Sequence, residues 1–268
     1  MSDTLPADLA AALDATRVRR GHLGDPVHYF AETTSTNDRA AACATHGAPE
    51  GTMIVAASQT AGRGRLGRSW YSPPGAGLYA SLVFRSRRAA PFLTLLAGVA
   101  VADGIRLATG LGLEIKWPND VVTPRGPGAP PRKIAGILAE ASSSADGLDY
   151  VVLGFGINIQ PVAYPPELAN RASSLETELG RAVDTGAVLA QVLVEFAAGL
   201  PSIEAGDPAP LLARWRALAP SVRGTAVECD SAAGRIRGVA AGVADDGALL
   251  VRVGGRTERV VAGEVTWT

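Results

Sequence analysis

The segment Gly62-Arg63-Gly64-Arg65-Leu66-Gly67-Arg68 restricts the folding of this chain more than any other stretch. It follows a β-rich run, Thr52 to Ser58, and leads through Ser72-Pro73-Pro74-Gly75 into a second strand-like run, Leu78 to Phe84. Its spacing satisfies G-x-G-x-x-G, but a dinucleotide fold needs a helix directly after the glycines and an acid about 20 residues further on. Pro73 and Pro74 forbid a long helix, and no Asp or Glu lies between Glu50 and Asp103. The phosphate-loop motif ending in Gly-Lys-Ser/Thr is absent from the sequence. The pattern is therefore strand, long loop, strand. Arg63, Arg65 and Arg68 have no acidic sequence neighbour to neutralise them, so an anion is expected to do so. Glycines at 62, 64 and 67 let the backbone approach a ligand, and guanidinium forks take phosphate oxygens in pairs. A nucleotide phosphate is the expected occupant, with ordering of the loop on binding; the alternative is a flexible, solvated basic loop.

The basic residues are not distributed at random between types. Of 25, only Lys116 and Lys133 are lysines. An ammonium is a compact point charge and a guanidinium a planar fork, so a tight site distinguishes them, and these two positions are candidates for such a site. Globally the chain is not basic. Its formal net charge is -1, which argues against a dedicated nucleic-acid-binding domain and makes any positive site local. Met1 to Arg20 carries Asp3, Asp8 and Asp14 and lacks the apolar core of a secretory signal. No run is read as approaching the ~18 apolar residues of a membrane span, so a cytoplasmic protein without a membrane partner is expected. Cys43 and Cys229, and His22, His28 and His46, match no metal-ligand spacing, and a structural zinc site is not expected.

Along the chain, residues 5 to 20 suggest one helix and Val27 to Thr33 a strand. Ser35-Thr36-Asn37-Asp38 carries a helix-start signature, a capping Ser with an acid three residues later. Pro91 opens a helix to about Thr109. Leu113 to Trp117 is a strand ended by Pro118-Asn119-Asp120, with Val121-Val122 as its continuation toward a Pro/Gly-rich hairpin tip spanning Thr123 to Pro131. Strands are expected at Lys133 to Glu140 and Tyr150 to Ile159, and helices at Ala187 to Leu200 and Ala209 to Leu218. From Thr225 the pattern changes to five short strands with tight-turn pairs at Asp246-Gly247 and Gly254-Gly255, which suggests a small barrel.

Three further constellations carry chemistry. Lys116-Trp117-Pro118-Asn119-Asp120 presents a carboxamide and a carboxylate at a strand end beside one of the two lysines; a polar turn is the plainer reading. Lys133-Ile134-Ala135-Gly136 puts the other lysine at the start of a buried-looking strand, where it is a site residue or an edge guard. Gly154-Phe155-Gly156-Ile157-Asn158 ends an apolar strand in glycines and an amide, which suits close approach of a flat base or marks a bulge.

In this order, Ser35-Thr36-Asn37, Gln59 with Gly62 to Arg68, Lys116 to Asp120, Lys133 to Gly136 and Gly154 to Asn158 resemble the biotin protein ligases, and the likeness runs from about residue 27 onward. It implies an α+β catalytic domain related to class II aminoacyl-tRNA synthetases and lipoate ligases, over residues 27–220, between an N-terminal helical segment (1–26) and an SH3-like barrel (221–268). It further implies ATP and biotin as substrates, Mg2+, and a biotin carboxyl carrier domain as partner. Ser35, Thr36, Asn37, Gln59, Arg63, Gly64, Arg65, Trp70, Lys133 and Gly136 would bind biotin, and Arg65, Arg68, Lys116, Asn119, Lys133 and Asn158 would bind ATP. Lys133, Arg65, Arg68, Lys116 and Asp120 would be catalytic, and Asp120 or Asn119 would hold the metal.

This sequence has Leu66 where some members have a further Arg, and only about 25 residues precede the main fold, too few for a DNA-binding helix-turn-helix. No operator binding is therefore expected; a monomer or weak homodimer is the expected oligomeric state, which the sequence itself does not fix. Two rivals remain. A lipoate ligase shares the chemistry but suits the polar set at 35–37 and 59 less well than a ureido ring does. An RNA-binding protein would need a basic C-terminal region. There Glu228, Asp230, Asp245, Asp246, Glu258 and Glu264 instead offset Arg235, Arg237, Arg252, Arg256 and Arg259.

Overall fold

In a computed structural model, residues 2–124, 130–231, 234–261, 263 and 265–267 are described. Residues 125–129 of the Pro/Gly-rich tip and Glu264 fall outside them. A seven-stranded sheet organises the larger part of the chain. Its strands are β1 (Val27–Phe30), β2 (Met53–Ala56), β3 (Gly77–Phe84), β4 (Glu114–Lys116), β5 (Asp120–Val122), β6 (Lys133–Ser144) and β7 (Gly147–Asn158). They lie in the order β1-β2-β3-β7-β6-β5-β4, with β1 and β2 parallel and every other pair antiparallel.

Strand alternation supplies two cores. Met53, Val55, Leu82, Phe84, Val151 and Leu153 face α4 (Leu93–Thr109) and α7 (Thr185–Glu204), whereas the intervening Ile54, Val83 and Val152 face α3 (Thr36–Thr45). Gly104 lets α4 and α7 cross closely, since a Cβ there would lie 2.7 Å from the Val192 nitrogen. Contrary to the sequence reading, residues 90–109 and 185–204 are each long and apolar enough to cross a membrane by length and composition. Here they pack on each other and on the sheet, as core helices do.

The N-terminal segment is two helices, α1 (Ala7–Ala15) and α2 (Arg17–Arg20), and not the single one expected. Leu9, Leu13 and Leu23 join the main core, and Asp3 bridges to Tyr29 of β1. Two short helices that the periodicity did not reveal, α5 (Pro166–Ala169) and α6 (Leu175–Leu179), follow β7. Val121 and Val122 do not continue β4: the chain reverses at Trp117-Pro118-Asn119, and Asp120 opens a strand of its own.

After α8 (Ala209–Leu218) come the five expected C-terminal strands, β8 (Ala226–Ser231), β9 (Gly234–Val243), β10 (Leu249–Val253), β11 (Arg256–Val260) and β12 (Val265–Trp267). They form one antiparallel sheet, order β11-β10-β9-β8-β12, whose Val227, Ala240, Leu249 and Val251 share the main core. Its charges pair among themselves, Glu228 with Arg235 and Arg237, Asp246 with Arg259 and Glu258 with Arg256.

Candidate active site

Residues opposite one another in an antiparallel pair point to the same face, and this register assembles the site. Lys116 faces Asp120, Asp120 faces Gly136, Gly136 faces Gly156 and Gly156 faces Tyr79, a row running across the sheet on the α3 side. Lys133 would point the other way by strict alternation. The register shift between Val121 and Val122 leaves Ile134 unpaired and sets Lys133 opposite Val122, so the bulge turns its side chain onto the row. Its ammonium then lies 2.6 Å from Asp120 Oδ1 and 4.9 Å from the centre of the Trp70 ring.

A cavity of about 700 Å³ covers this row, within the range of small-molecule sites. Every sequence-predicted site residue lines it: Ser35, Thr36, Asn37 and Gln59 at one end, Arg63, Gly64, Arg65, Arg68 and Trp70 from the loop, and Lys116, Asn119, Asp120, Lys133, Gly136 and Asn158 from the sheet. The sequence did not reveal that the C-terminal sheet closes the far end with Gly263, Val265, Thr266 and Trp267. The Trp267 ring lies 6.0 Å from the Lys116 ammonium, and Trp117 donates to the Gly247 carbonyl at 3.0 Å. Tyr164 and the segment from Leu168 to Ala172 form another unforeseen wall, its last residue bridged to Lys133.

At the α3 end the expected serine cap is replaced. Ser35 precedes the helix in extended conformation but makes no side-chain cap. Gln59 Oε1 instead accepts the Thr36 N–H at 2.8 Å, while Gln59 Nε2 donates to Ser72 Oγ. Asp38, the expected capping acid, pairs with Arg63 at 2.7 Å.

The arginines of the loop differ in their partners. Arg63 is neutralised within the protein by Asp38 and Glu140, each at 2.7 Å, which corrects the expectation that it awaits an external anion. Both acids are remote in sequence and arrive through α3 and β6. Arg65 is half-buried and lies 3.5 Å from Asn119 Oδ1 and 3.5 Å from the Gly263 carbonyl. Burial lowers its pKa from the ordinary value, Asp120 opposes that shift and Arg68 adds to it. Such a guanidinium is incompletely solvated and gains from an anion. Leu66, at the tip, holds a left-handed conformation (φ 57°).

The strand glycines do not clear space for a base, as their spacing had suggested. A Cβ at Gly154 would fall on the Asn37 amide, and one at Gly156 on the Trp70 indole; at Gly136 it would meet Trp70 at 2.7 Å and Lys133 at 3.0 Å. These glycines are receptacles for the protein's own side chains. Gly62 is required for a related reason, since a Cβ would sit 2.6 Å from the Trp70 carbonyl.

The two amides expected to bind ATP are, like Gln59, largely spent internally. Asn119 Nδ2 donates to the Ile137 carbonyl at 2.7 Å while its Oδ1 faces Arg65. Asn158 Nδ2 donates to the carbonyls of Ser173 and Lys133, which leaves Oδ1 as the atom with which it could meet a ligand. Among the described residues no group of three or more His, Cys, Asp or Glu side chains could hold a metal ion.

Residues 29–158 match the model of the biotin/lipoate A/B protein ligase family. The chain is 34% identical over 248 residues to the bifunctional ligase/repressor BirA of Bacillus subtilis, covering 91% of this chain and 74% of that protein. With a biotin–acetyl-CoA-carboxylase ligase of Mycobacterium tuberculosis it shares 36% identity over 249 residues, 88% of this chain and 86% of that one. The structure of a biotin protein ligase from Aquifex aeolicus in complex with biotin and ATP superposes with a TM-score of 0.77 at 27% identity, covering 90% of this chain and 98% of that one.

Proposed function

The chain belongs to the biotin protein ligase family, and from that premise we propose that its cavity joins the carboxylate of biotin to the α-phosphate of ATP and then passes biotin to a lysine of a biotin carboxyl carrier domain. The observation that carries this reading is the seat of Lys133. Its ammonium lines the same cavity as the polar residues Thr36 and Gln59, Asn158 and the C-terminal sheet, and it is already matched to a carboxylate, Asp120.

Two anions must meet for an adenylate to form. Lys133 exchanges Asp120 for the ligand carboxylate and the α-phosphate, offsetting their repulsion while charge builds on the phosphorus oxygens. Arg65, Arg68 and Lys116 face the phosphates, and Asn119 acts through the orientation of Arg65. Ser35, Thr36, Asn37 and Gln59, with the backbone of Gly64 and the backbone and side chains of Arg63 and Arg65, surround the ureido ring, and Trp70 walls the acyl chain over Gly136. Asn158 meets the adenine amine through Oδ1.

Magnesium would be held by a single protein carboxylate with the substrate phosphates. The ion is commonly held by one or two carboxylates together with substrate phosphates, and Asp120 is the carboxylate on this row. Bound there it would stabilise the departing pyrophosphate. In transfer, the neutral amine of the carrier lysine attacks the mixed anhydride, AMP leaves, and Asp120 accepts the proton.

The proposal extends to the scaffold and setting: a class II synthetase-like body over 27–220, an SH3-like closure of the C-terminal strands, a monomer or weak homodimer, and a cytoplasmic location. The deciding experiment supplies the protein with ATP, magnesium, a carrier domain and either biotin or lipoate, and weighs the carrier. A mass gain with biotin is expected. A gain with lipoate alone would overturn the assignment.

A further inference from the structure

Behind Thr36 and Asn37 lies a hydroxyl that does not line the cavity. Ser81 of β3 is wholly buried, and its Oγ is 2.6 Å from Asn37 Oδ1 and 2.8 Å from Thr36 Oγ1. It is a polar residue in an otherwise apolar strand, and its register partner Gly154 vacates the space that the Asn37 amide fills.

The direction of each bond in this cluster is fixed by chemistry. Glu140 accepts from Asn37 Nδ2 at 2.7 Å, and the Leu138 carbonyl lies 3.5 Å from the same nitrogen. Both are acceptors, so the amide cannot be reversed without loss. Asn37 Oδ1 therefore faces Ser81, and an amide oxygen only accepts. Ser81 Oγ is oriented as donor toward both that oxygen and Thr36 Oγ1, so its single proton serves these two acceptors and Thr36 takes the accepting role on this side. On its other side Thr36 Oγ1 finds Gln59 Oε1 at 3.2 Å, again an acceptor, held by the Thr36 N–H and by donation from Gln59 Nε2 to Ser72. Thr36 must spend its own proton inside the protein. What its hydroxyl shows the cavity is an oxygen lone pair.

We propose that Ser81 is a specificity-determining positioning residue: the Glu140 carboxylate, acting through Asn37 and Ser81, fixes Thr36 as a hydrogen-bond acceptor, so that this pocket selects a ring N–H. Arg63, 2.7 Å from Glu140, keeps that carboxylate in place, which couples the polarity of the pocket to the Gly/Arg loop. The inference rests on the reading of this end of the cavity as the seat of the ureido ring.

The test measures biotin-dependent pyrophosphate exchange for Ser81→Ala, Glu140→Gln, Thr36→Val and the Ser81→Ala/Thr36→Val pair. Ser81→Ala should raise the KM for biotin about tenfold, the effect of one lost buried hydrogen bond, with kcat and the KM for ATP nearly unchanged. Glu140→Gln, whose amide can donate and so lets Asn37 reverse, should shift the biotin KM in the same direction. Because Ser81 acts through Thr36, the double variant should be no worse than Thr36→Val alone. Additive losses, an unchanged KM for biotin, or an equal fall in kcat would each overturn the proposal. Should Ser81→Ala fail to fold, Glu140→Gln alone decides, since its side chain is partly exposed and outside the cavity wall. If the unaltered protein does not use biotin, it is the functional reading that fails, before any variant is compared.

Discussion

Asp120 Oδ1 receives the Lys133 ammonium at 2.6 Å, and the two residues meet only because the bulge at Ile134 turns Lys133 onto the face that Asp120 occupies. The Trp70 ring bounds the ammonium on another side, and the ammonium sits close enough to Gly136 that a Cβ there would lie 3.0 Å from it. A guanidinium keeps the charge but is broader than this space. Lys133→Arg is expected to lower adenylate formation by about 100-fold or more, the scale of losing a positioned charge at a transition state. Biotin-dependent pyrophosphate exchange measures it, and a near-normal rate would refute the tight-site argument.

Gly156 accommodates the Trp70 indole, whose Nε1 is buried without a hydrogen-bond partner among the described residues. Gly156→Ala forces the ring to move. A cost of about 1–3 kcal/mol is expected, as for overpacking of a close-packed site, together with weaker biotin binding. Urea unfolding and equilibrium binding would reveal both; an unchanged midpoint and an unchanged Kd would show that Trp70 has a second resting place.

Glu195, on α7, titrates above the ordinary carboxylate value because burial and then Asp103 disfavour its charge, against the pull of Arg19, Arg106 and Arg214. A carboxyl with a raised folded pKa binds its proton more tightly in the native state, so stability is lost as pH rises from the unfolded pKa through the folded one. Glu195→Gln should therefore raise Tm at pH 7, by about 1–3 °C for a chain of this size. The gain should disappear below pH ~4, where the native Glu is protonated in both states. A Tm difference independent of pH would contradict this account.

Trp267 reaches the cavity from the C-terminal sheet and faces Lys116 at 6.0 Å. On the proposed placement of ATP toward the C-terminal sheet and of biotin at Thr36 and Gln59, Trp267→Ala should raise the KM for ATP about fivefold and leave that for biotin unaltered. A matching rise in the KM for biotin would mean that the sheet supports the whole cavity and not the nucleotide end.

Much of the site was legible before any coordinates. The glycines of the loop, the rarity of lysine and the succession of Ser35-Thr36-Asn37, Gln59, Lys116 to Asp120 and Lys133 to Gly136 identified groups that all line one cavity. The strand runs and the change of pattern after Leu218 were visible in periodicity and turn residues, because these are local properties. Some misses were local, such as the division of the N-terminal helix and the absent Ser35 cap, but the misreading of the loop charge came from remote contacts. Arg63 looked unneutralised because its acids, Asp38 and Glu140, lie 25 and 77 residues away along the chain.

The sequence by itself determined the inventory: which residues carry charge, where the backbone can come close, and which chemistry two lysines and an arginine loop can serve. Tertiary structure decided the pairing. The register of β3, β6 and β7 chose Asn37 and Trp70 as occupants of the glycine hollows, and the bulge at Ile134 chose the face of Lys133. Packing of the C-terminal sheet brought Trp267 to the same cavity. The physical reason is that a residue's type fixes what bond it can make, while its partner depends on which distant strand lies opposite, and that is settled only when the sheet is assembled.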